Sequence, residues 1–234
     1  MTATASLRFD VVGLDADDTL WHSEDSFHRV EAHFVELVEP YAAIGIDVAA
    51  ALRATERAQL PIAGYGVKAF TLSMVRAAVT VSDGAVPAAV IGQLLDDGMD
   101  MLTEPVRLLP DVPAVLADLG RDHRLVLITK GDLVHQTRKV TTSGIAHHFE
   151  HVEVVLEKDA DTYAGILRQV GVRPERFVMV GNSVRSDILP VLSLGAHAVH
   201  IPYPLLWEHE HVDHDEDLDE LTSIAELPQA LRGA

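Results

Sequence analysis

The chain contains no cysteine, so disulfides and thiolate metal sites are excluded. No uninterrupted apolar stretch comes near the roughly 20 residues that a bilayer crossing needs. Residues 1–9 lack a basic start followed by a long apolar run, so no secretory signal is visible. With no address to read, the cytoplasm is the expected location. Basic residues are scarce as well: 18 Lys and Arg stand against 36 acids, for a formal net charge of -18. Such a chain repels polyanions at long range, which argues against nucleic-acid and anionic-membrane partners. The acids are unevenly spread, because residues 208–220 hold eight of them and no Lys or Arg. His209, His211 and His214 lie in this stretch, and imidazole with carboxylate can bind metals. No expected element fixes their spacing, so a solvated loop is the preferred reading.

What is present fits a folded protein of one domain, or one domain with an insert. Of the 234 residues, 48% are hydrophobic and 23% charged, close to ordinary folded usage. Residues 9–14 (FDVVGL) form a short apolar run ending in acids, as a buried parallel strand would. Residues 124–129, 152–156, 177–180 and 198–201 read the same way, with helical spacing at 133–143, 160–170 and 188–194. This alternation predicts an α/β fold with a doubly wound parallel sheet, Rossmann-like in type. Residues 23–104 interrupt it. They contain no convincing strand and predict helices at 26–39, 48–59, 68–79 and 87–102. The expected organisation is a core of residues 1–21 and 105–234 with a smaller all-helical cap domain at 22–104.

The most informative segment is Asp15-Ala16-Asp17-Asp18-Thr19-Leu20, directly after the first strand. Doubly wound sheets bind ligands at the carboxyl ends of their strands. Two carboxylates at this point can divide nucleophilic and acid-base work if their environments differ. A solvated acidic turn is the plainer alternative. A calcium loop fits worse, since Leu20 takes its glycine position and Ser26 its final glutamate. Neither a G-x-S-x-G nucleophile elbow nor a P-loop occurs.

Asp15-x-Asp17-x-Thr19 after an apolar strand resembles the first signature of the haloacid dehalogenase-like superfamily. Leu127-Ile128-Thr129 is similar to the second, and Glu157-Lys158-Asp159 to the third. The fourth corresponds to residues 181–187, which include Asn182 and Asp187. The four motifs stand in the right order, each at the end of an expected strand, and the resemblance spans residues 9–201. It implies a Mg²⁺-dependent phosphatase acting on a small phosphorylated metabolite. Asp15 would be the nucleophile and Asp17 the acid and later base, while Thr129 and Lys158 would bind the phosphoryl group. The metal would be held by Asp15, the Asp17 carbonyl, Asn182 and Asp187. Lys130 directly follows Thr129 and could be taken for the functional lysine, but Lys158 opens an expected helix, as the family pattern requires.

Two residues depart from the pattern. Asp18 stands where a glycine is common, and Asn182 where an aspartate is frequent. A phosphosugar mutase would share all four motifs. A non-catalytic regulatory protein on the same fold is a further alternative, favoured only by Asn182. A carbon–halogen hydrolase would not need Asp17. Trp21, His22, Tyr65, Lys68 and Phe70 are candidates for substrate contact, equally readable as packing or surface. Nothing in the residues indicates an oligomeric state.

Overall fold

The computed structural model describes residues 8–205, 207, 210, 212–214 and 216–233. Five parallel strands form one sheet in the order β3-β2-β1-β4-β5. They are β1 (Val11–Leu14), β2 (Arg124–Lys130), β3 (His151–Val155), β4 (Phe177–Gly181) and β5 (His197–His200). Each begins and ends within two residues of the apolar run that predicts it. The central strands β1 and β4 are buried along their whole length, because helices cover both faces of a parallel sheet.

Period-two alternation sorts the strand side chains into two cores. Val12, Leu14, Leu125, Leu127, Val178 and Val180 face one side, where Leu116, Leu119, Leu227 and Leu231 meet them. Val11, Val126, Ile128, Phe177 and Met179 face the other, against Tyr163, Ile166 and Leu167. The helices involved are α5 (Val112–Leu119) and α9 (Leu227–Gly233) on the first side and α7 (Ala160–Val170) on the second. No helix was expected at α5, yet Val112, Val115, Leu116 and Leu119 recur at helical spacing and are buried. Pro113 belongs to its first turn, where a missing N–H costs nothing. The helix expected at 188–194 is also shorter than its apolar run. A wide π-type turn at Val184–Ile188 precedes α8 (Leu189–Leu192), and Gly195 follows with φ +76°.

Two compact units can be distinguished: Met1–Glu24, Val106–Lys130 and Thr137–Ala234 in one, Asp25–Pro105 and Gly131–Gln136 in the other. The second holds α1 (Glu24–Val38) from Asp25 on, α2 (Val48–Ala63), α3 (Val67–Val81) and α4 (Ala88–Thr103), and no strand among its described residues. Val30, Phe34 and Val38 lie four apart on α1 and enter a core with Leu52, Met74 and Leu94. Phe70 packs there too. Asp47 caps α2 by accepting from the Ala50 N–H at 2.9 Å. Among the described residues, no helix is long and apolar enough to cross a membrane.

Gly13 in β1 is demanded by packing. A Cβ there would lie 2.5 Å from Phe177 Cζ and 3.0 Å from Met179 Sδ. Gly13→Ala is therefore expected to destabilise the fold by about 1–3 kcal/mol through overpacking. A urea-unfolding midpoint equal to that of the unsubstituted protein would contradict this.

Candidate active site

From β1 the chain builds β2 and β3 outward on one side, then crosses over to place β4 and β5 on the other. The carboxyl ends of β1 and β4 therefore flank a topological switch point, where a crevice opens. Asp15 follows β1 directly, and its N–H donates to the Val180 carbonyl at 2.9 Å. Thr129 lies near the end of β2, Lys158 follows β3 just ahead of α7, and Asn182 and Asp187 follow β4. Asp15, Asp17, Thr129, Lys158, Asn182 and Asp187 all line one cleft of about 120 Å³. Residues from Asp15 to Asp187 thus meet because each stands at or just after the carboxyl end of a strand of the same sheet.

Lys158 is the centre of the cleft. Its Nζ donates to Asp15 Oδ1 at 2.5 Å and to Asp187 Oδ1 at 2.6 Å, and its side chain is only 3% exposed. Burial opposes its charge, but Asp15 and Asp187 outweigh burial and hold its pKa well above the usual lysine value. Burial pushes the Asp15 carboxyl up to about 7 against the pull of Lys158, with the Asp187 charge adding to the rise. Thr19 Oγ1 donates to Asp15 Oδ2 at 3.0 Å and stands 3.4 Å from Asn182 Oδ1. Asp187 Oδ2 accepts from the Ser183 N–H at 3.0 Å. Gly181 gives this carboxylate its room, since a Cβ at 181 would sit 2.2 Å from Asp187 Oδ2.

The other carboxylates of the first loop have separate partners. Asp17 Oδ1 accepts from Trp21 Nε1 at 2.5 Å and from Lys139 Nζ. Asp18 adopts φ +61°, a left-handed conformation that glycine takes freely and aspartate tolerates. Its carboxylate turns to the start of α1 and accepts from the N–H groups of Ser23 at 2.8 Å and Glu24 at 3.1 Å. Burial first, and then the Asp17 charge, raise its pKa to about 8. The departure from glycine therefore keeps the backbone shape and adds a helix cap.

The oxygens here suit a hard divalent cation. Two carboxylates, Asp15 and Asp187, share one ammonium, and burial leaves Asp15 with a raised affinity for a proton. That is a demand for more positive charge, and the donors at hand (carboxylates, the Asn182 amide oxygen, main-chain carbonyls) are all oxygen. Among the described residues, no three His, Cys, Asp or Glu side chains surround a common metal position. A cation here would therefore complete its shell with main-chain, amide, water or substrate oxygens.

Glu210 corrects the reading of residues 208–220 as a solvated stretch. Its side chain is 12% exposed. It accepts from Ser186 Oγ at 2.6 Å, from Ser183 Oγ, and from Lys130 Nζ at 2.7 Å. Composition suggested solvent, but two hydroxyls and an ammonium at the edge of the cleft recruit this one acid. Lys130 also reaches Ser186 Oγ at 3.0 Å. Lys158 Nζ instead reaches Asp15 and Asp187. Lys139 was likewise missed, because nothing in its helix marks it until Asp17 is placed beside it. His209 and His211, and with them the metal reading of that stretch, lie outside the described residues, while His214 is exposed. Of the substrate-contact candidates, Trp21 is a core residue and His22 Nδ1 lies 2.7 Å from the Tyr203 hydroxyl.

The profile of the haloacid dehalogenase-like hydrolase family matches residues 9–195. The chain belongs to that family. It is 38% identical to a haloacid dehalogenase-like family hydrolase from Xanthomonas campestris, covering 98% of this chain and 93% of that one with a TM-score of 0.88. It is also 33% identical over 134 residues to the glyceraldehyde 3-phosphate phosphatase of Methanothermobacter thermautotrophicus, 54% of this chain and 59% of the relative. The human N-acylneuraminate-9-phosphatase matches at 32% over 96 residues, 39% of each chain. The chain thus spans 59% and 39% of the length of these two relatives.

Glu210 makes a pH prediction. Burial opposes its charge, but Lys130 and the hydrogen bonds from Ser183 and Ser186 bring its pKa from 4.5 to about 2. A depressed carboxylate contributes stability above its unfolded pKa and loses it as pH falls through the folded one. Glu210→Gln should therefore cost on the order of 3 kcal/mol at pH 7, and less as pH falls from 4.5 towards 2. Urea unfolding of both proteins across that range would test this, and a difference independent of pH would refute it.

Proposed function

We propose that the chain is a Mg²⁺-dependent phosphatase that hydrolyses a small phosphorylated metabolite through an aspartyl phosphate on Asp15. The observation that carries this reading is Lys158 held between Asp15 and Asp187 in a buried cleft at the switch point. A phosphate monoester at neutral pH is a dianion, and a carboxylate reaches it only where positive charge offsets the repulsion. Lys158 supplies part of that charge. Bound Mg²⁺ would supply the rest by neutralising the approach of phosphoryl oxygen to carboxylate, held by Asp15, Asp187, Asn182 and the Asp17 carbonyl.

Asp15 attacks phosphorus as the bond to the leaving oxygen breaks. The Asp17 carboxyl gives its proton to that oxygen, then takes one from the water that hydrolyses the phosphoaspartate. Thr129 donates to a phosphoryl oxygen, and Lys158 offsets the charge that builds on the transferring group. On this reading residues 22–104 are the helical cap domain and residues 1–21 and 105–234 the catalytic core. The relatives are named for glyceraldehyde 3-phosphate and N-acylneuraminate 9-phosphate, which supports starting a substrate panel with phosphorylated sugars.

Asp15→Asn should lower turnover of the best panel substrate by at least ~10³-fold with the fold intact, because an amide cannot form the acyl phosphate. Retention of most activity would remove Asp15 from the mechanism. Asn182→Asp should tighten Mg²⁺ binding in the absence of substrate, since it adds a charge to the donor set. Calorimetric titration of both proteins decides the point, and equal affinities would mean that residue 182 does not touch the metal.

A further inference from the structure

Lys139, on α6 (Leu133–Thr142), takes no part in the reaction as outlined. Its side chain is 12% exposed, and its Nζ donates to Asp17 Oδ1. Trp21 Nε1 donates to the same oxygen at 2.5 Å. The ammonium also stands 5.6 Å from the centroid of the Trp21 ring, within cation–π range. Trp21 is 1% exposed and shares its core with Val140, the next residue along α6. The indole and the ammonium are thus both anchored in the sheet's own packing, and both aim at one atom.

A carboxyl group rotates easily about its last torsion, with two broad minima. For an acid that must hand a proton to a particular oxygen, that freedom is a handicap. Two donors converging on Oδ1 remove it. An oxygen that accepts from both an ammonium and an indole N–H is a poor place for a proton, so in the acid form the proton belongs on Oδ2. The side chain of Asp17 remains 32% exposed, so a substrate can approach it.

We propose that Lys139 is a positioning residue for Asp17. With Trp21 it holds Oδ1 as an acceptor and so assigns Oδ2 to the proton that goes to the leaving oxygen. In the second half of the reaction Oδ2 takes a proton from water as the water oxygen attacks phosphorus, which frees Asp15 and releases phosphate. The inference rests on Asp17 acting as the acid and base under the proposed function.

A positioning role and a merely structural one differ in their dependence on the leaving group. An aryl phosphate with a stable phenolate leaving group scarcely needs the acid, whereas an alkyl phosphate does. Lys139→Met should lower kcat by at least ~30-fold for the alkyl phosphate that the enzyme turns over best, and by less than ~3-fold for para-nitrophenyl phosphate. Lys139→Arg should restore most of the alkyl rate, because a guanidinium can still donate to Oδ1. Equal losses on both substrates, or an unchanged alkyl rate, would overturn the proposal. Asp17→Asn, measured alongside, separates the two levels. If it shows no leaving-group dependence, the assignment of Asp17 as the acid fails. If it does while the Lys139 variants do not, only the role of Lys139 fails. A readout independent of turnover is the indole N–H resonance of Trp21, one of two tryptophans in the chain. It should shift in Lys139→Met and return in Lys139→Arg, and a resonance unmoved by Lys139→Met would overturn the proposal.

Discussion

The carboxyl end of the sheet is arranged around a buried ammonium that carries two carboxylates. Lys158, Asp15 and Asp187 come from the ends of three different strands, and each is at least nine-tenths buried. Burying such charges is unfavourable unless they are paired, and removing one partner from a buried pair typically costs about 3–5 kcal/mol. The triad therefore ties β1, β3 and β4 together where the fold would otherwise bring only repelling acids. It also leaves two carboxylates on one ammonium, and burial, with the Asp187 charge adding, raises the Asp15 pKa to about 7.

Two glycines make the triad's geometry possible, for steric reasons of the same kind. Gly13 lets Phe177 and Met179 lie against β1, which holds the two central strands in register up to Leu14 and Val180. Gly181 leaves space for the Asp187 carboxylate beside the end of β4. Between them, main-chain bonds such as Asp15 N–H to Val180 carbonyl set where the first carboxylate stands. The triad is thereby built at strand ends, where backbone position is best determined.

Around that centre the remaining charges are sorted by partner. Asp17 goes to Lys139 and Trp21, Asp18 to the first N–H groups of α1, and Glu210 to Lys130 and two serine hydroxyls. Neighbouring acids in sequence thus acquire different environments, which is how adjacent carboxyls come to have distinct chemical roles. Asp15 and Asp18 illustrate the point, since burial raises both, but one is bonded to an ammonium and the other to main-chain amides.

The sequence by itself determined the five strands and their parallel arrangement, because short apolar runs alternating with helical spacing admit few other layouts. It also determined which residues stand at strand ends, and so drew Asp15, Thr129, Lys158, Asn182 and Asp187 towards one edge before any contact was known. Helix α5 was legible too, in the spacing of Val112, Val115, Leu116 and Leu119, with Pro113 in its first turn. What only the tertiary structure decided were pairings between groups distant in the chain. Lys139 sits 122 residues from Asp17, and Glu210 sits 80 residues from Lys130. Periodicity reports which face of an element is buried, not which polar group waits there. Glu210 shows the limit most clearly: a run of acids looks solvated in one dimension, yet Glu210 is drawn in by an ammonium and two hydroxyls that only folding brings near.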